Sequence, residues 1–320
     1  MTVLYDTFGR PLNSLRIQLN ASCNFKCFFC HMEGTDENSS TLSAEEIERV
    51  VAMGAKNGVN RVKFTGGEPL LRKDIEDIIR RTRKHISGDI SLTTNAFFLK
   101  DKARGLKESG LNRINISMHS IEKDHFIEIT KVDAIDVVEQ GIDAALSAGL
   151  SPVKVNFVVL NGVNVHQIDS MLDFSSKKGV ILQLIEYETD RSGESDDNYR
   201  KYHYDIKPIE DRMVKRSSWV EYNTLHNRKR IHVPIEDERE GVVEIVRPQR
   251  NADFCNHCTR LRVTSKGEFQ TCLNRHDQLF NFRGKNEEEM FDTFKKAIDS
   301  RVPYWREEDE GTYQVLREIS

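Results

Sequence analysis

The chain has 320 residues, with 47 Lys plus Arg against 51 Asp plus Glu and a formal net charge of −4. Hydrophobic residues make up 38% and charged residues 31%, a composition that excludes a disordered or collagen-like chain. The near-neutral charge argues against a basic non-specific nucleic-acid binder, and no apolar run reaches the roughly 18 residues of a membrane span. The first residues, MTVLYDTFGRPLN, lack a secretory pattern, so we expect a cytoplasmic protein with no nucleic-acid or membrane partner.

Short β-rich runs alternate with helical patterns over the first 190 or so residues. The six predicted strands are Leu15–Leu19, Arg61–Thr65, Asp89–Thr94, Arg113–Met118, Val153–Leu160 and Val180–Glu186. Apolar residues at helical spacing lie between them, at 47–54, 75–79 and 135–146, and Ser43 marks the start of the first helix. Repeated βα units predict a parallel sheet with right-handed crossovers. Because six units fall short of the eight of a full TIM barrel, the predicted fold class is α/β, a partial (βα)6 TIM-like barrel.

The pattern changes after the polar run 191–198, which we interpret as a solvated linker or loop. Further predicted elements are β-runs at Trp219–Tyr222, Arg230–Val233 and Val242–Val246, a hairpin of Thr259–Thr264 and Glu268–Leu273, and a helix at Glu287–Ile298. We therefore predict two domains, a barrel over 1–191 and a smaller C-terminal extension over 192–320.

The six cysteines form two groups of three, with none elsewhere. The spacings are Cys23-x3-Cys27-x2-Cys30 and Cys255-x2-Cys258-x13-Cys272. Because disulfides are rare in cytoplasmic proteins and buried structural thiols would be scattered, this grouping predicts two metal sites. A [4Fe–4S] cluster held by three thiolates leaves one iron open to a small molecule, whereas structural zinc needs a fourth ligand. Histidines that could complete a zinc site are His31, His257 and His276.

The run CNFKCFFC at 23–30 resembles the C-x3-C-x2-C signature of radical S-adenosylmethionine (SAM) enzymes, whose open iron chelates the methionine of SAM. Aromatic residues beside the thiolates would keep a redox cluster dry, which favours iron and sulfur; they are Phe25, Phe28 and Phe29. The resemblance implies SAM contacts from Phe29, Gly67 and Ser117. Gly67 belongs to the run TGGEP, which taken alone could be any tight turn.

The C-terminal run CNHCTRLR at 255–262, followed by Cys272, resembles the cluster motif of the GTP 3′,8-cyclase family. The resemblance implies that the C-terminal extension carries a second [4Fe–4S] cluster with three cysteine ligands, and that its open iron binds the guanine of GTP. A zinc ribbon would ordinarily show a second Cys-x2-Cys pair, but a zinc site with His257 or His276 stays as the alternative. The resemblance covers most of residues 12–300 and is weakest over 192–250.

A triphosphate needs cations, which a nearly neutral chain must supply locally. The resemblance places seven residues around GTP: Arg16, Lys63, Thr93, Lys154, Arg260, Leu261 and Arg262. Lys63 and Lys154 lie inside otherwise apolar strands where neither face is ordinary solvent, so each charge needs an anionic partner. The alternative is an interior salt bridge with an acid such as Glu186. Arg260 and Arg262 alternate along one strand face, which suits the binding of phosphate oxygens.

The resemblance implies a reaction in which SAM yields a 5′-deoxyadenosyl radical that abstracts hydrogen from C3′ of GTP. The carbon radical then attacks C8, and reduction gives 3′,8-cyclo-7,8-dihydro-GTP, the first step of molybdenum-cofactor biosynthesis. We assign no catalytic side chain because the cofactors carry this chemistry. Expected partners are GTP, a low-potential electron donor of ferredoxin or flavodoxin type, and the cyclic pyranopterin monophosphate synthase that receives the product. A homodimer is compatible with the sequence.

Three features depart from the family pattern. His119 stands where an acid is usual, Glu188 aligns with a methionine near SAM, and the chain ends in Gln314–Ser320 without a double-glycine tail. If that tail is required, another segment must do its work. Two other functions stay open: a radical SAM maturase of a peptide or other small molecule, and a zinc-stabilised binding module without catalysis. Maturases tend to carry more C-terminal cysteines than this chain has.

Overall fold

The computed structural model describes residues 3–31, 41–223 and 227–309. The strands are β1 (Ser14–Gln18), β2 (Arg61–Thr65), β3 (Asp89–Thr94), β4 (Arg113–Ser117), β5 (Val153–Val159), β6 (Ile181–Glu186), β7 (Trp219–Asn223), β8 (Arg228–Pro234), β9 (Glu240–Val246), β10 (Arg260–Val263), β11 (Glu268–Gln270) and β12 (Leu279–Asn281). The helices are α1 (Ala44–Lys56), α2 (Ile75–Arg83), α3 (Leu99–Glu108), α4 (Lys123–Thr130), α5 (Ile135–Ser147), α6 (Ile168–Lys178), α7 (Asp197–Tyr202), α8 (Lys207–Arg216), α9 (Ala252–Asn256) and α10 (Glu287–Asp299). Within these ranges, none of the helices has the length and apolar character needed to cross a membrane.

The predicted elements of the N-terminal half are confirmed, since each of the six strands forms within one residue of its predicted bounds. The first helix begins as the sequence indicates: the Ser43 hydroxyl accepts from the Glu46 amide, and the Glu46 carboxylate accepts from the Ser43 amide. The polar run 191–198 differs from the linker prediction, because it forms a 3-10 turn at Gly193–Ser195 and the start of α7. Asp190, just before the run, accepts from the Gly193 amide, and Asp196 within it accepts from the Tyr199 amide, which explains why a polar run is ordered here.

The described residues divide into two compact units, neither of them continuous along the chain. The first comprises Met1–Ser117, Thr130–Val153 and Thr259–Val302, and the second comprises Met118–Ile129, Lys154–Cys258 and Pro303–Ser320. The predicted division into 1–191 and 192–320 remains a prediction about domain organisation.

The first unit contains strands in the order β12-β11-β10-β1-β2-β3-β4, of which β10 to β4 run parallel. The predicted hairpin is confirmed as β10 and β11, and its turn contains Gly267 at a φ of 92°. Leu15 and Ile17 of β1 are fully buried, and Gly54 lets α1 approach Leu15 closely. Because side chains alternate along a strand, Arg16 lies on the sheet face opposite α1.

The second unit contains strands in the order β5-β6-β9-β8-β7. Strands β5, β6 and β9 are parallel, whereas β9, β8 and β7 are antiparallel. Helix α6 packs on β6 and β9, and α8 packs on β8. Buried aliphatic and aromatic side chains of the parallel strands form the core between sheet and helix, among them Val155, Phe157, Leu182, Leu184 and Val243.

Candidate active site

The first cysteine loop directly follows β1 in the first unit. Cys23 and Cys27 are half-buried and Cys30 is exposed, and the three thiols are not joined in disulfides. The Cys30 amide donates to the Cys27 carbonyl at 3.0 Å, and the Lys26 amide donates to the Thr130 carbonyl at 3.0 Å. The loop is therefore held by its own backbone and by the end of α4.

These thiols lie in surroundings that disfavour a bare thiolate. Burial raises the pKa of Cys27 to about 12, with the neighbouring Cys30 and Cys23 adding to the effect, and burial also raises the pKa of Cys23. Such thiols ionise at neutral pH only when a cation stabilises the thiolate. Three soft sulfur donors on one short loop therefore fit an iron–sulfur cluster, whose iron supplies that positive charge.

Aromatic side chains lie beside the cysteine loop. Phe25 is buried and packs edge-on against Phe97, with ring centroids 6.2 Å apart. Phe28 and Phe29 are half-buried and meet edge-on at 5.8 Å. Phe25 thus provides a dry wall, whereas the two later phenylalanines are partly open to a ligand or to solvent.

The glycine pair of the TGGEP run is required by packing. A Cβ added to Gly67 would lie 2.2 Å from the Ser22 carbonyl oxygen, and one added to Gly66 would lie 2.3 Å from Asn20 Oδ1. The Gly67 amide donates to the Asn20 carbonyl at 2.9 Å. The run is therefore more than a tight turn, because it supports the backbone that leads into Cys23. Contact of Gly67 with SAM stays a prediction.

Two residues that the sequence interpretation missed connect this turn to a thiol. Glu68 is fully buried and accepts from the Leu70 amide, the Thr94 hydroxyl and the Asn95 amide at 2.7–2.9 Å. Burial raises the pKa of Glu68 to about 7, while these donors lower it. The Asn95 side chain then donates to Cys23 Sγ at 3.8 Å. The sequence signal that could have identified Asn95 is its position at the carboxyl end of a parallel strand, where ligands of such sheets bind.

The predicted SAM contact Ser117 ends β4 and is half-buried. His119, which departs from the family pattern, is buried in the second unit, and its Nδ1 accepts from the Val158 amide at 3.1 Å. Burial lowers the pKa of His119 to about 4, so the imidazole is neutral. It cannot supply the negative charge of the acid that it replaces. Glu188 is half-buried in the loop after β6.

Three of the predicted GTP cations lie side by side in the first unit. Arg16 of β1 is in register with Arg262 of β10 on one side and with Lys63 of β2 on the other. Residues in register on parallel strands share a sheet face, about 4.8 Å apart. Arg260 and Arg262 share that face because they are two positions apart, while Leu261 is fully buried on the opposite face. Thr93 is half-buried near the end of β3.

Lys154 has different surroundings in the second unit. It is buried and forms an ion pair with Glu244 of β9, as the salt-bridge alternative anticipated, but with Glu244 instead of Glu186. Burial alone would raise the pKa of Glu244, yet Lys154, Arg228 and Arg230 lower it to about 2. The carboxylate is therefore ionised throughout the physiological range. Glu186 instead faces His203 at 3.2 Å.

In the second cysteine group, Cys255 and Cys258 belong to the second unit and Cys272 belongs to the first. Cys255 lies in α9 one residue before its end, and the Cys258 amide donates to the Cys255 carbonyl at 3.1 Å. The Trp305 amide donates to Cys255 Sγ at 3.4 Å. Cys272 lies in the first unit just after β11. Of the zinc-ligand candidates, His31 and His276 are exposed, and His257 Nδ1 lies 2.9 Å from the Asp253 carbonyl oxygen and 3.1 Å from its carboxylate.

Sequence comparisons identify the family to which this chain belongs. The chain matches the family model "Radical SAM superfamily" over residues 17–175 and the model "Molybdenum Cofactor Synthesis C" over 180–307. It is 52% identical to a probable GTP 3′,8-cyclase of Thermoplasma volcanium, over 96% of this chain and 94% of the relative. The chain belongs to the GTP 3′,8-cyclase family. A second member of that family, from Thermococcus kodakarensis, is 43% identical over 95% of this chain and 100% of its own length.

Solved structures confirm the fold class. Streptococcus suis SuiB bound to the precursor peptide SuiA has a TM-score of 0.66, with 17% identity, 93% of this chain and 68% of SuiB covered. The protein anSMEcpe with bound AdoMet has a TM-score of 0.58, with 18% identity and coverage of 90% and 82%. At this identity the likeness establishes the α/β partial-barrel fold alone. Membership of the family marks the chain as a radical SAM enzyme, with SAM and [4Fe–4S] clusters as cofactors.

Proposed function

We propose that this protein is a GTP 3′,8-cyclase, a lyase that converts GTP to (8S)-3′,8-cyclo-7,8-dihydroguanosine 5′-triphosphate in the first step of molybdenum-cofactor biosynthesis. The observation that carries the proposal is the row Arg262–Arg16–Lys63, which lies on neighbouring strands of the unit that also holds the first cysteine loop. When bound, the clusters and SAM supply the radical chemistry through a 5′-deoxyadenosyl radical. The side chains of the protein bind and orient GTP and SAM, and they exclude water from the site.

Cys23, Cys27 and Cys30 would hold the SAM-binding cluster. The raised pKa values of Cys23 and Cys27 support this assignment, because these two half-buried thiols need a bound cation before they ionise at neutral pH. SAM would contact Phe29, Gly67 and Ser117. Each of the three lies in the first unit, at or beyond the carboxyl end of a parallel strand, where ligands of such sheets bind.

The cationic row would bind the triphosphate of GTP. Three cations on adjacent strands can donate several charge-assisted hydrogen bonds to one polyanion. Arg260 would extend the row by one step along β10. Further proposed contacts are Thr93, Lys154 and, through its backbone because its side chain lies on the opposite face, Leu261. Glu244 already neutralises Lys154, so we expect this lysine to contribute less to binding than Lys63 does.

Cys255, Cys258 and Cys272 would hold the second cluster, whose open iron binds the guanine. The Trp305 amide, which donates to Cys255 Sγ, would then stabilise negative charge on that ligand. We further propose a ferredoxin- or flavodoxin-type electron donor, transfer of the product to a cyclic pyranopterin monophosphate synthase, and a cytoplasmic location. The segment Gln314–Ser320, which lacks the double-glycine pair expected from the resemblance, lies outside the described residues.

Anaerobic reconstitution tests this function. We expect about eight irons per chain and release of 5′-deoxyadenosine that depends on both SAM and GTP. Arg260→Ala should weaken the use of GTP while both clusters stay loaded. Arg80→Gln, which changes an exposed arginine on α2, is the matched control and should leave turnover unchanged. Two bound zincs per chain, or 5′-deoxyadenosine formation indifferent to GTP, would refute the cyclase; the second result would favour a maturase.

A further inference from the structure

A separate group of potential metal ligands lies in the second unit. Glu122, His125 and His166 each offer one donor atom, and the three atoms lie within 4.8 Å of one another. His125 Nδ1 is 2.9 Å from one oxygen of the Glu122 carboxylate, and His166 Nε2 is 3.4 Å from the other. The two imidazole rings meet edge-on with centroids 5.3 Å apart. One carboxylate therefore faces two imidazole nitrogens at once.

A buried glutamine lies beside one of these ring nitrogens. The Gln167 carbonyl oxygen accepts from the Ser120 hydroxyl at 2.8 Å and from the Ile121 amide at 3.2 Å, which fixes the orientation of its side-chain amide. The amide nitrogen then lies 3.2 Å from His125 Nδ1. Gln167 therefore holds the His125 ring in place beside the Glu122 carboxylate.

The donor set and its spacing suit a late first-row divalent metal. Two imidazoles and one carboxylate are typical ligands of Zn²⁺, with bonds of about 2.0–2.2 Å. Tetrahedral bonds of that length separate the donor atoms by about 3.3 Å. The two ring nitrogens lie 2.9 and 3.4 Å from the two oxygens of the Glu122 carboxylate, and one donor atom from each residue lies within 4.8 Å of the others, so a small movement of the side chains brings the donors to that separation. The side chains are 32–57% exposed, so an ion can enter from solvent and a water molecule can complete the shell.

We propose that Glu122, His125 and His166 form a Zn²⁺ site that joins two connections of the second unit. Glu122 and His125 flank the start of α4, whereas His166 belongs to the 3-10 turn Val165–Gln167 before α6. These segments already meet through Ser120 and Gln167. A bound ion adds coordinate bonds across the same junction, and it does so independently of the cysteine sites and of the proposed GTP chemistry.

Titration of the cluster-loaded holoenzyme with ZnCl₂, followed by calorimetry, tests the site. Because cysteines that lack iron also bind zinc, the readout is the difference between variants. We expect the wild type to take up one Zn²⁺ more than His166→Ala does, with affinity at this site falling at least about 100-fold. His85→Ala is the matched control, since His85 also faces a carboxylate, Glu48 at 3.2 Å, and is similarly exposed, but no second imidazole joins that pair within the described ranges.

A second measurement identifies the donors. Co²⁺ in place of Zn²⁺ should give ligand-field absorption without sulfur-to-cobalt charge transfer, and His125→Ala and His166→Ala should each abolish it. Charge transfer from sulfur would assign the ion to the cysteines and overturn the proposal. Equal stoichiometry and affinity in wild type, His166→Ala and His85→Ala would do the same.

Discussion

Two lysines that look alike in the sequence have opposite surroundings in the structure. Lys63 lies in Val-Lys-Phe of β2 and Lys154 in Val-Lys-Val of β5, and both lie inside otherwise apolar strands. Lys63 is half-buried in register with Arg16, whose other neighbour is Arg262. Lys154 is buried against Glu244. The neighbouring strand, and not the local pattern, decides whether such a lysine lies beside other cations or beside a carboxylate.

The largest expected effect is the loss of stability when the carboxylate beside Lys154 is removed. Glu244→Gln should lower the free energy of unfolding by about 3–5 kcal/mol, because three buried or half-buried cations lose their shared counter-charge. Urea denaturation measures the change. Glu240→Gln alters a more exposed carboxylate of the same strand and should cost under about 1 kcal/mol. A comparable small loss for Glu244→Gln would mean that Lys154 does not depend on this pair.

The same pair predicts a pH dependence. The pKa of Glu244 is about 2 in the folded protein against an ordinary value of 4.5, so its stabilisation is complete above about pH 4.5 and disappears as the pH falls toward 2. This shift corresponds to roughly 3 kcal/mol. Unfolding free energies of wild type and Glu244→Gln should therefore differ most near neutral pH and converge in acid. A difference that is constant with pH would contradict the assignment.

For Lys63 we expect a substitution to change the stability of the protein little and its affinity for GTP strongly. Lys63→Met removes one of three neighbouring positive charges, so the free energy of unfolding should change by less than about 1 kcal/mol. Affinity for GTP should fall about 10- to 100-fold, the value of one or two hydrogen bonds to a charged group. Calorimetry on the cluster-loaded protein measures the affinity. A large loss of stability without weaker GTP binding would make Lys63 a structural residue like Lys154.

The smallest expected effect concerns a neutral hydrogen bond. Asn95→Leu removes the donor to Cys23 Sγ and should make the reduction potential of the first cluster more negative by roughly 20–40 mV, because the reduced cluster loses a stabilising N–H. Redox titration followed by electron paramagnetic resonance measures the shift. Asn57→Leu changes an asparagine whose side chain donates within α1 and should leave the potential unchanged. An unaltered potential in Asn95→Leu would restrict Asn95 to loop structure.

Much of the fold could be predicted because its signals are local. The six strands follow from β-rich runs, and the Ser43 cap follows from residues within one helical turn. The hairpin of β10 and β11 follows from a glycine turn between two short runs. The order of the strands could not be predicted in the same way. That β10 pairs with β1 depends on contacts between residues far apart in the chain.

The candidate site likewise has features that the sequence predicts and features that only the tertiary structure shows. Cysteine spacing and the glycine pair are visible in the sequence because both act within a few residues, and they indicated the family that the relatives then established. Glu68 and Asn95 escaped notice because their role depends on a buried carboxylate joining two strand ends. Glu244 was not identified from the sequence because its role depends on ion pairs with cations from β5 and β8.

By itself, then, the sequence determined the chemistry available to this protein, which is six thiols in two groups of three and a set of strand-borne cations in a nearly neutral chain. The tertiary structure decided which charges stand together. Electrostatic energy depends on distance and burial, and neither is set by position along the chain. The net charge of −4 therefore coexists with a cationic row at Arg16, Lys63 and Arg262 and with a neutralised lysine at 154.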